Sequence, residues 1–122
     1  MLDDVNFVLL QRVLDGAALR HRVIAHNMAN VNTPGYRRQE VRFTEHLAAA
    51  LAAGDADAIR SARIEVQRAS DPALQPDGNN VSLEREMGDL MKNSLVHSTV
   101  SQLLSTQIAG YRAAITGNTS GG

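Results

Sequence analysis

The sequence has no cysteine and no tryptophan, and only two phenylalanines and two tyrosines among its 122 residues. Without cysteine, neither a disulfide framework nor a thiolate metal site can form. So few aromatic side chains make an aromatic-lined cofactor pocket or a base-stacking surface a poor expectation. The formal net charge is −1, with no basic excess. Nucleic acid and an anionic membrane are therefore not expected as the main partner.

Long apolar runs are also missing. No stretch approaches the roughly 20 apolar residues that a membrane-spanning helix needs. Residues 1–4 are acidic where a cleavable signal peptide is basic, and Arg12 and Asp15 interrupt the apolar stretch that follows. The sequence predicts a soluble chain, or one exported without a cleaved signal. Apolar residues still make up 43% of it, which is enough for burial within one domain.

The N-terminal third has the periodicity of an amphipathic helix. Its apolar residues alternate spacings of three and four, which is the heptad seam of a paired helix. We expect a helix over residues 5–30 that ends near Asn30, because Thr33-Pro34-Gly35 cannot continue it. Pro34-Gly35 is typical of a type II turn in which Gly35 has positive φ. The seam comprises Phe7, Leu10, Leu14, Ala17, His21, Ile24, Met28 and Val31.

We predict that this seam is an assembly surface, buried against other subunits. Under that hypothesis Ile24→Asp leaves the subunit soluble but blocks assembly, because the carboxylate loses its water without gaining a partner. Arg20→Ala changes a residue off the seam and is expected to be nearly silent, since exposed charges contribute little.

Residues 32–80 are polar and rich in turn residues, which predicts a connecting module and not a second domain. Residues 36–43 alternate loosely, as an extended segment does, and residues 62–68 alternate like a short, half-exposed strand. Thr44 is expected to cap a short helix that Gly54 closes. The segment is expected to be a small surface module or a partly disordered loop.

The only basic cluster follows the predicted Pro-Gly turn and consists of Arg37, Arg38 and Arg42. Two interpretations stay open. The cluster is either a solvated face, as most charged clusters are, or a contact with an acidic patch on a neighbouring subunit.

The C-terminal third predicts a second long helix over residues 81–116, followed by a Gly-rich flexible tail at 117–122. Ser82 can cap this helix, and Glu84 and Glu86 are well placed for the dipole at its N-terminus. The apolar stripe is wide and shifts midway, which is typical of a helix that contacts more than one neighbour. Its members assigned to the assembly seam are Leu104, Ile108 and Ile115.

These segments predict an all-α fold. Two long terminal helices, within residues 1–31 and 81–116, form an antiparallel, coiled-coil-like pair, and the irregular segment 32–80 with a minor strand joins them. Two helices alone leave much of a wide apolar stripe in water, and contiguous exposed apolar surface usually belongs to a partner. The pattern therefore indicates an assembly subunit.

Patterns for catalysis and metal binding are weak. His21 and His26 are five residues apart, so they do not share a helix face as metal ligands at i and i+4 do. The sequence has no Gly-rich phosphate loop, no GxSxG elbow and no acid pair in apolar surroundings. We predict no enzymatic activity, no metal site and no cofactor.

Two strings are more specific than these patterns. The first, from Asn27 to Tyr36, resembles the N-terminal signature of bacterial flagellar rod, hook and hook-associated axial proteins. The second, over residues 77–87, is similar to the segment that opens the C-terminal helix of the proximal rod subunit in that family. The residues that carry the resemblance are Asn27, Ala29, Asn30, Thr33, Pro34, Gly35 and Tyr36, and Asp77, Gly78, Asn79, Asn80 and Val81.

The resemblance implies a structural subunit of the flagellar basal-body rod, exported through the flagellar export apparatus without cleavage and located in the periplasm. The implied partners are other copies, other rod subunits, the adaptor at the rod base and the rod-capping muramidase. The terminal helices would surround the channel of a hollow shaft that transmits torque. The alternatives are another short rod subunit of the same family, a soluble coiled-coil adaptor or chaperone, and a hydrolase.

Overall fold

The computed structural model describes residues 5–117. Within that range the elements are α1 (Val5–Ala29), β1 (Gln39–Arg42), α2 (Thr44–Ala53), α3 (Ala56–Arg60), β2 (Glu65–Arg68) and α4 (Leu83–Thr116). The predicted fold class, two long helices with a minor strand pair, is confirmed. Residues 1–4 of the predicted first helix segment and 118–122 of the predicted tail lie outside the described residues.

The two long helices, α1 and α4, lie antiparallel. Phe7, near the start of α1, packs against Val100 in the second half of α4. Near the middle of the pair, the Asn93 side chain donates a hydrogen bond to the Ala17 carbonyl at 2.8 Å. Glu86, Asn93 and Val100 are buried and lie seven residues apart, so one heptad line of α4 faces α1. This heptad line of α4 is polar towards the N-terminus of the helix and apolar towards its C-terminus.

The larger apolar core lies between α1 and the segment 39–62, and not between the two long helices. Ile59 is fully buried there. The segment therefore contributes to the core, which the expectation of a surface module or loop did not include. The core excludes water because α2, α3 and β1 each turn an apolar side onto α1. Its buried members are Val8, Val23, Val41, Phe43, Leu47, Ala50, Ile59 and Ala62.

A two-stranded antiparallel sheet joins the two ends of this module. The register pairs Gln39 with Arg68 and Arg42 with Glu65. The predicted extended segment and the predicted strand are therefore confirmed, each over four residues.

Side chains of α1 cover the outer edge of β1. Arg20 donates to the Val41 carbonyl at 3.1 Å, and its guanidinium lies 4.7 Å from the centre of the Phe43 ring. The pKa of Arg20 is lowered, because burial disfavours the cation. Arg20→Ala removes a hydrogen bond and a ring contact, so the expectation that it is silent does not hold.

The helix termini follow local signals at most positions. Ser82 caps α4 by accepting a hydrogen bond from a backbone N–H of the first turn, and Gly54 closes α2 with φ of 69°, both as predicted. Thr44 does not cap α2, because Phe43 occupies the cap position and no side chain bonds there. The Phe43 ring lies so close to Gly16 that a Cβ on this glycine would be 2.6 Å from it. Packing of the ring overrides the capping preference.

Candidate functional site

The two strings that carry the family resemblance meet in space. The end of α1 and the turn that follows lie against the segment preceding α4, and buried amide side chains connect them. Asn27 and Asn79 are 0% exposed and Asn80 is 2% exposed. We call this cluster the polar junction. Its members are Asn27, Tyr36, Arg38, Asp71, Asn79, Asn80 and Glu86.

Asn79 binds the turn that follows α1. Its Nδ2 donates to three carbonyls at 2.8–3.2 Å, those of Asn30, Val31 and Thr33. Its Oδ1 accepts a hydrogen bond from the Val81 N–H at 2.8 Å. These carbonyls follow Ala29, the last residue of α1, so Asn79 holds the turn after the helix from a distant part of the chain.

Asn27 ties α1 to the first strand. Its Nδ2 donates to the Gln39 carbonyl at 2.8 Å and its Oδ1 accepts from the Gln39 N–H at 2.9 Å, as a neighbouring strand would. The same amide donates to Glu86 at 3.2 Å and accepts from the Tyr36 hydroxyl at 2.8 Å. All four hydrogen-bonding positions of the buried side chain are used, which offsets the cost of removing it from water.

Two glycines of the strings lie in turns that touch. Gly35 has φ of 74°, as predicted, and the Tyr36 N–H closes the turn on the Thr33 carbonyl at 3.2 Å. Gly78 has φ of 93°, and a Cβ added there would lie 3.9 Å from the Gly35 Cα. Side chains with a Cβ rarely adopt positive φ, so backbone conformation requires glycine at both positions.

Arg38 lies at the centre of an ionic network. It is 4% exposed, and it donates from Nε to Glu86 at 2.8 Å and from Nη1 to Asp71 at 2.7 Å. Burial disfavours the Arg38 cation, but the hydrogen bonds to Glu86 and Asp71 outweigh that effect, so its pKa is raised. The hydrogen bond from Arg38, followed by one from Arg85, holds the pKa of Asp71 below its usual value. Arg38 and Asp71 therefore stay charged at neutral pH.

Two of the three arginines in the basic cluster, Arg37 and Arg38, consequently have a different role from either interpretation of the sequence. Arg38 meets its acidic partners inside its own chain, and Arg37 donates to the carbonyls of Gly78 and Asp71 at 3.0 and 2.7 Å. Only Arg42 lies on a solvated face, where it pairs with Glu40. A contact with a neighbour's acidic patch is therefore wrong for Arg37 and Arg38.

Sequence reasoning missed Glu86 and Asp71 as parts of the site. Glu86 was expected to serve the helix dipole, whereas it is fully buried against Arg38. The sequence held one signal for the burial of Glu86, its position seven residues before Asn93. A heptad spacing places both residues on the face of α4 towards α1. Asp71 had no such signal, since it lies in an irregular segment between β2 and the turn at residues 74–78.

Tyr36 and His26 complete the surface of the polar junction. The His26 Nδ1 lies 2.9 Å from the Tyr36 hydroxyl, and the ring centres are 5.7 Å apart. Burial, followed by the charge of Glu86, raises the pKa of Tyr36, so its hydroxyl stays neutral and donates to Asn27. This arrangement binds two segments together and offers no activated nucleophile.

The predicted assembly seam is divided between covered and uncovered positions. Within the single subunit Ile24 is 4% exposed and Ala17 is 1% exposed, so both are already covered by their own chain. His21 on the same line is exposed. Phe7 and Leu104 are also buried, Leu10, Leu14, Met28 and Val31 are half-buried, and Ile108 and Ile115 are exposed.

The outer surface of α4 is strongly apolar. In its first half large side chains repeat every four residues, whereas Leu103, Ile108 and Ile115 in its second half do not keep that spacing, so the predicted shift of the stripe is present. Met91, Leu95 and Ile115 are 73%, 69% and 76% exposed. The remaining large apolar side chains exposed on α4 are Leu83, Met87, Val96, Leu103 and Ile108.

Within residues 5–117, no group of three or more histidine, cysteine or acidic side chains is placed to hold a metal ion. In the same range, no helix has the length and apolar character needed to cross a membrane. The described residues present the hydrogen-bonded polar junction and, on α4, an exposed apolar face.

Comparison with known proteins identifies the family, although no family model matches the sequence. The chain is 32% identical over 129 residues to flagellar basal body rod protein FlgB of Escherichia coli, covering 90% of this chain and 94% of that protein. It is 31% identical over 118 residues to FlgB of Borrelia hermsii, covering 82% and 87%. FlgB of Salmonella typhimurium is 29% identical over 136 residues, covering 96% and 99%. The chain therefore belongs to the FlgB family of flagellar basal body rod proteins.

Proposed function

We propose that the chain is a non-enzymatic structural subunit of the proximal rod, whose terminal helices assemble with neighbouring subunits into a hollow shaft that transmits torque. The observation that carries this proposal is the exposed apolar face of α4. Contiguous apolar surface on a folded subunit usually belongs to a partner. FlgB proteins that are similar to the chain are named as rod proteins, which supports the same conclusion.

The structure suggests a division of roles between the two parts of the subunit. The polar junction and the core between α1 and the middle module hold α1 and α4 at a fixed relative position. The exposed side of α4, with the uncovered seam residues Ile108 and Ile115, then contacts neighbours. A subunit held rigid by buried, fully bonded polar groups is suited to passing on torque, because it does not deform easily under load.

The partners in this proposal are other copies of the chain, other rod subunits, the adaptor at the rod base and the rod-capping muramidase. The subunit reaches them through the flagellar export apparatus. Support for this part comes from the family membership.

Complementation of a deletion strain tests the function. The wild-type gene should restore hooks on purified basal bodies, and Ile115→Asp, at a side chain 76% exposed, should not. The matched control is Leu74→Asp, which places the same charge on a side chain 61% exposed, outside α4, and should restore hooks. A deletion strain that builds normal hooks, or an Ile115→Asp strain that does, would show the proposal to be wrong.

A further inference from the structure

A polar groove runs between α1 and α4. All the residues that line it belong to these two helices, so the middle module does not cover it. Its volume of about 500 Å³ is in the usual range of binding pockets. We call it the inter-helix groove. Its polar side chains are His21, Arg22, Asn93, Ser94, His97 and Ser98.

The exposed side chains of the inter-helix groove have no partner in the described part of their own chain. Within residues 5–117, the side chains of five residues form no hydrogen bond or ion pair, namely His21, Arg22, Ser94, His97 and Ser98. Among the described residues that line the groove, none is acidic. Arginine is always charged, and histidine and serine can each donate a hydrogen bond. The groove is therefore a positively charged set of unpaired donors, which fits a carboxylate.

The floor of the groove also has an unused acceptor. Asn93 is 4% exposed, and its Nδ2 donates to the Ala17 carbonyl at 2.8 Å, whereas its Oδ1 has no partner within residues 5–117. A buried acceptor without a donor costs free energy. An inorganic anion such as sulfate brings acceptors only, but a peptide brings backbone N–H donors together with carboxylates. The groove therefore suits an acidic peptide segment better than a free anion.

The sequence contains one segment of this kind. Asp3 and Asp4 are the only adjacent acidic residues in the chain, and they directly precede α1, outside the described range. They cannot reach Arg22 of their own chain. Asp3 is two residues from Val5, at most about 7 Å, whereas Arg22 lies about 25 Å further along α1. Carboxylates of this segment that pair with Arg22 must therefore come from another copy.

We propose that Asp3 and Asp4 of one copy dock in the inter-helix groove of a neighbouring copy, where their carboxylates pair with Arg22 and bond to His21 and His97. The contact joins two different surfaces, so each copy presents one segment and receives another. Such head-to-tail contacts lead to open-ended assemblies, so the inference rests on the proposed function and identifies a contact between copies within the shaft. Exposed ion pairs each contribute little, so the contact sets the orientation of the neighbour more than it supplies affinity.

Single cysteines test the contact, because the chain has none of its own. Purified Leu2→Cys protein, which keeps both carboxylates, is mixed with Ser94→Cys protein under mild oxidation, and the disulfide-linked heterodimer is measured. Thr99→Cys is the matched control for Ser94→Cys, since it is also exposed but lies about 140° further around α4. The heterodimer with Ser94→Cys should form at least about ten-fold faster. Equal rates with both, or a Ser94→Cys protein that links mainly to itself, would overturn the proposal.

An exchange of charges tests the pairing. In the same mixture, Arg22→Glu on the Ser94→Cys protein should lower the rate of cross-linking about five-fold, because it replaces attraction with repulsion. Asp3→Arg with Asp4→Arg on the Leu2→Cys protein should also lower it, and both changes together should restore most of it. Arg68→Glu is the matched control, since Arg68 is exposed, lies outside the groove and should leave the rate unchanged. A loss that the exchange does not restore, or an equal loss with Arg68→Glu, would refute the pairing.

This contact and the proposed function can fail separately. The cross-linking is measured on purified protein, whereas the deletion strain measures hooks. Absence of the cross-linking preference in a protein whose gene restores hooks would overturn the docking of residues 3 and 4 and leave the rod function intact.

Discussion

Asparagine side chains make the longest-range connections of the polar junction. Asn27 and Asn79 are both 0% exposed, and each side chain forms four hydrogen bonds. An amide carries donors and acceptors together, so one side chain can bond backbone carbonyls and a backbone N–H at once. A carboxylate would lack the donors and an apolar side chain would lack both, which explains the residue type at these positions.

Removing the hydrogen bonds of Asn79 should destabilise the subunit. Asn79→Ala removes one donor from each of the carbonyls of Asn30, Val31 and Thr33, which all keep a second donor. It also leaves the buried Val81 N–H without its acceptor, and an unsatisfied buried group costs about 1–3 kcal/mol. We therefore expect the free energy of unfolding in urea to fall by about 1–3 kcal/mol. Asn32→Ala is the matched control, since Asn32 belongs to the same string but is exposed. Equal loss in the two variants would mean that the hydrogen bonds of Asn79 do not contribute.

Single residues with local partners could be predicted from the sequence. Ser82 and Gly35 behave as predicted because their roles depend only on adjacent backbone. The pairing of Arg38 with Glu86 could not be predicted, because the two residues are 48 apart and meet only when α4 has docked. Local chemistry fixes caps and turns, whereas tertiary docking decides which charges become buried.

Among the elements, α1 shows that a correctly identified periodicity does not tell which surface covers the helix face. The heptad seam exists, but α4 of the same chain covers part of it, whereas the middle module packs against other residues of α1, such as Val8 and Val23. Periodicity reports that a face is buried and carries no information on whether the covering surface belongs to the same chain. The short elements α2, β1 and β2 were located only approximately, because the packing of residues such as Phe43 determines their ends.

Because the subunit itself covers part of the seam, we expect a charge placed there to impair folding. The sequence alone had predicted that such a charge would impair assembly. Ile24→Asp places a charge at a position 4% exposed, so the free energy of unfolding should fall by more than about 3 kcal/mol. Ile115→Asp, at 76% exposure on α4, should change it by less than about 0.5 kcal/mol. Urea denaturation of both purified variants makes the comparison. An Ile24→Asp protein as stable as wild type would show that α1 does not pack as described.

For the whole molecule, stability is concentrated at one end of the helix pair. The polar junction lies where α1 ends and α4 begins, and the middle module covers α1. At the other end, α4 is held mainly by a small cluster of Phe7, Val100 and Leu104. Regions with few buried contacts open more readily than the core.

This distribution predicts a gradient of hydrogen exchange in the isolated subunit. Amides of residues 8–27 and 86–100 should be strongly protected, because the core and the polar junction cover them. Amides of residues 105–116, most of which are exposed, should exchange at least about 100-fold faster. The measurement needs a protein concentration at which sedimentation shows a monomer. Uniform protection along α4 in that monomer would contradict the prediction.

The tie between the turn after α1 and Asn79 also bears on the order in which the chain can fold. Asn79 lies 49 residues beyond the Asn30 carbonyl that it serves. In a chain that emerges N-terminus first, the residues of the larger core, up to Ala62, come out before Asn79, and Glu86, the buried partner of Arg38, appears later still. Contacts between such distant residues form late, because the intervening loop must close first. The polar junction is therefore completed only after most of the chain has emerged, and until then α4 has no docked position from which to meet a neighbour.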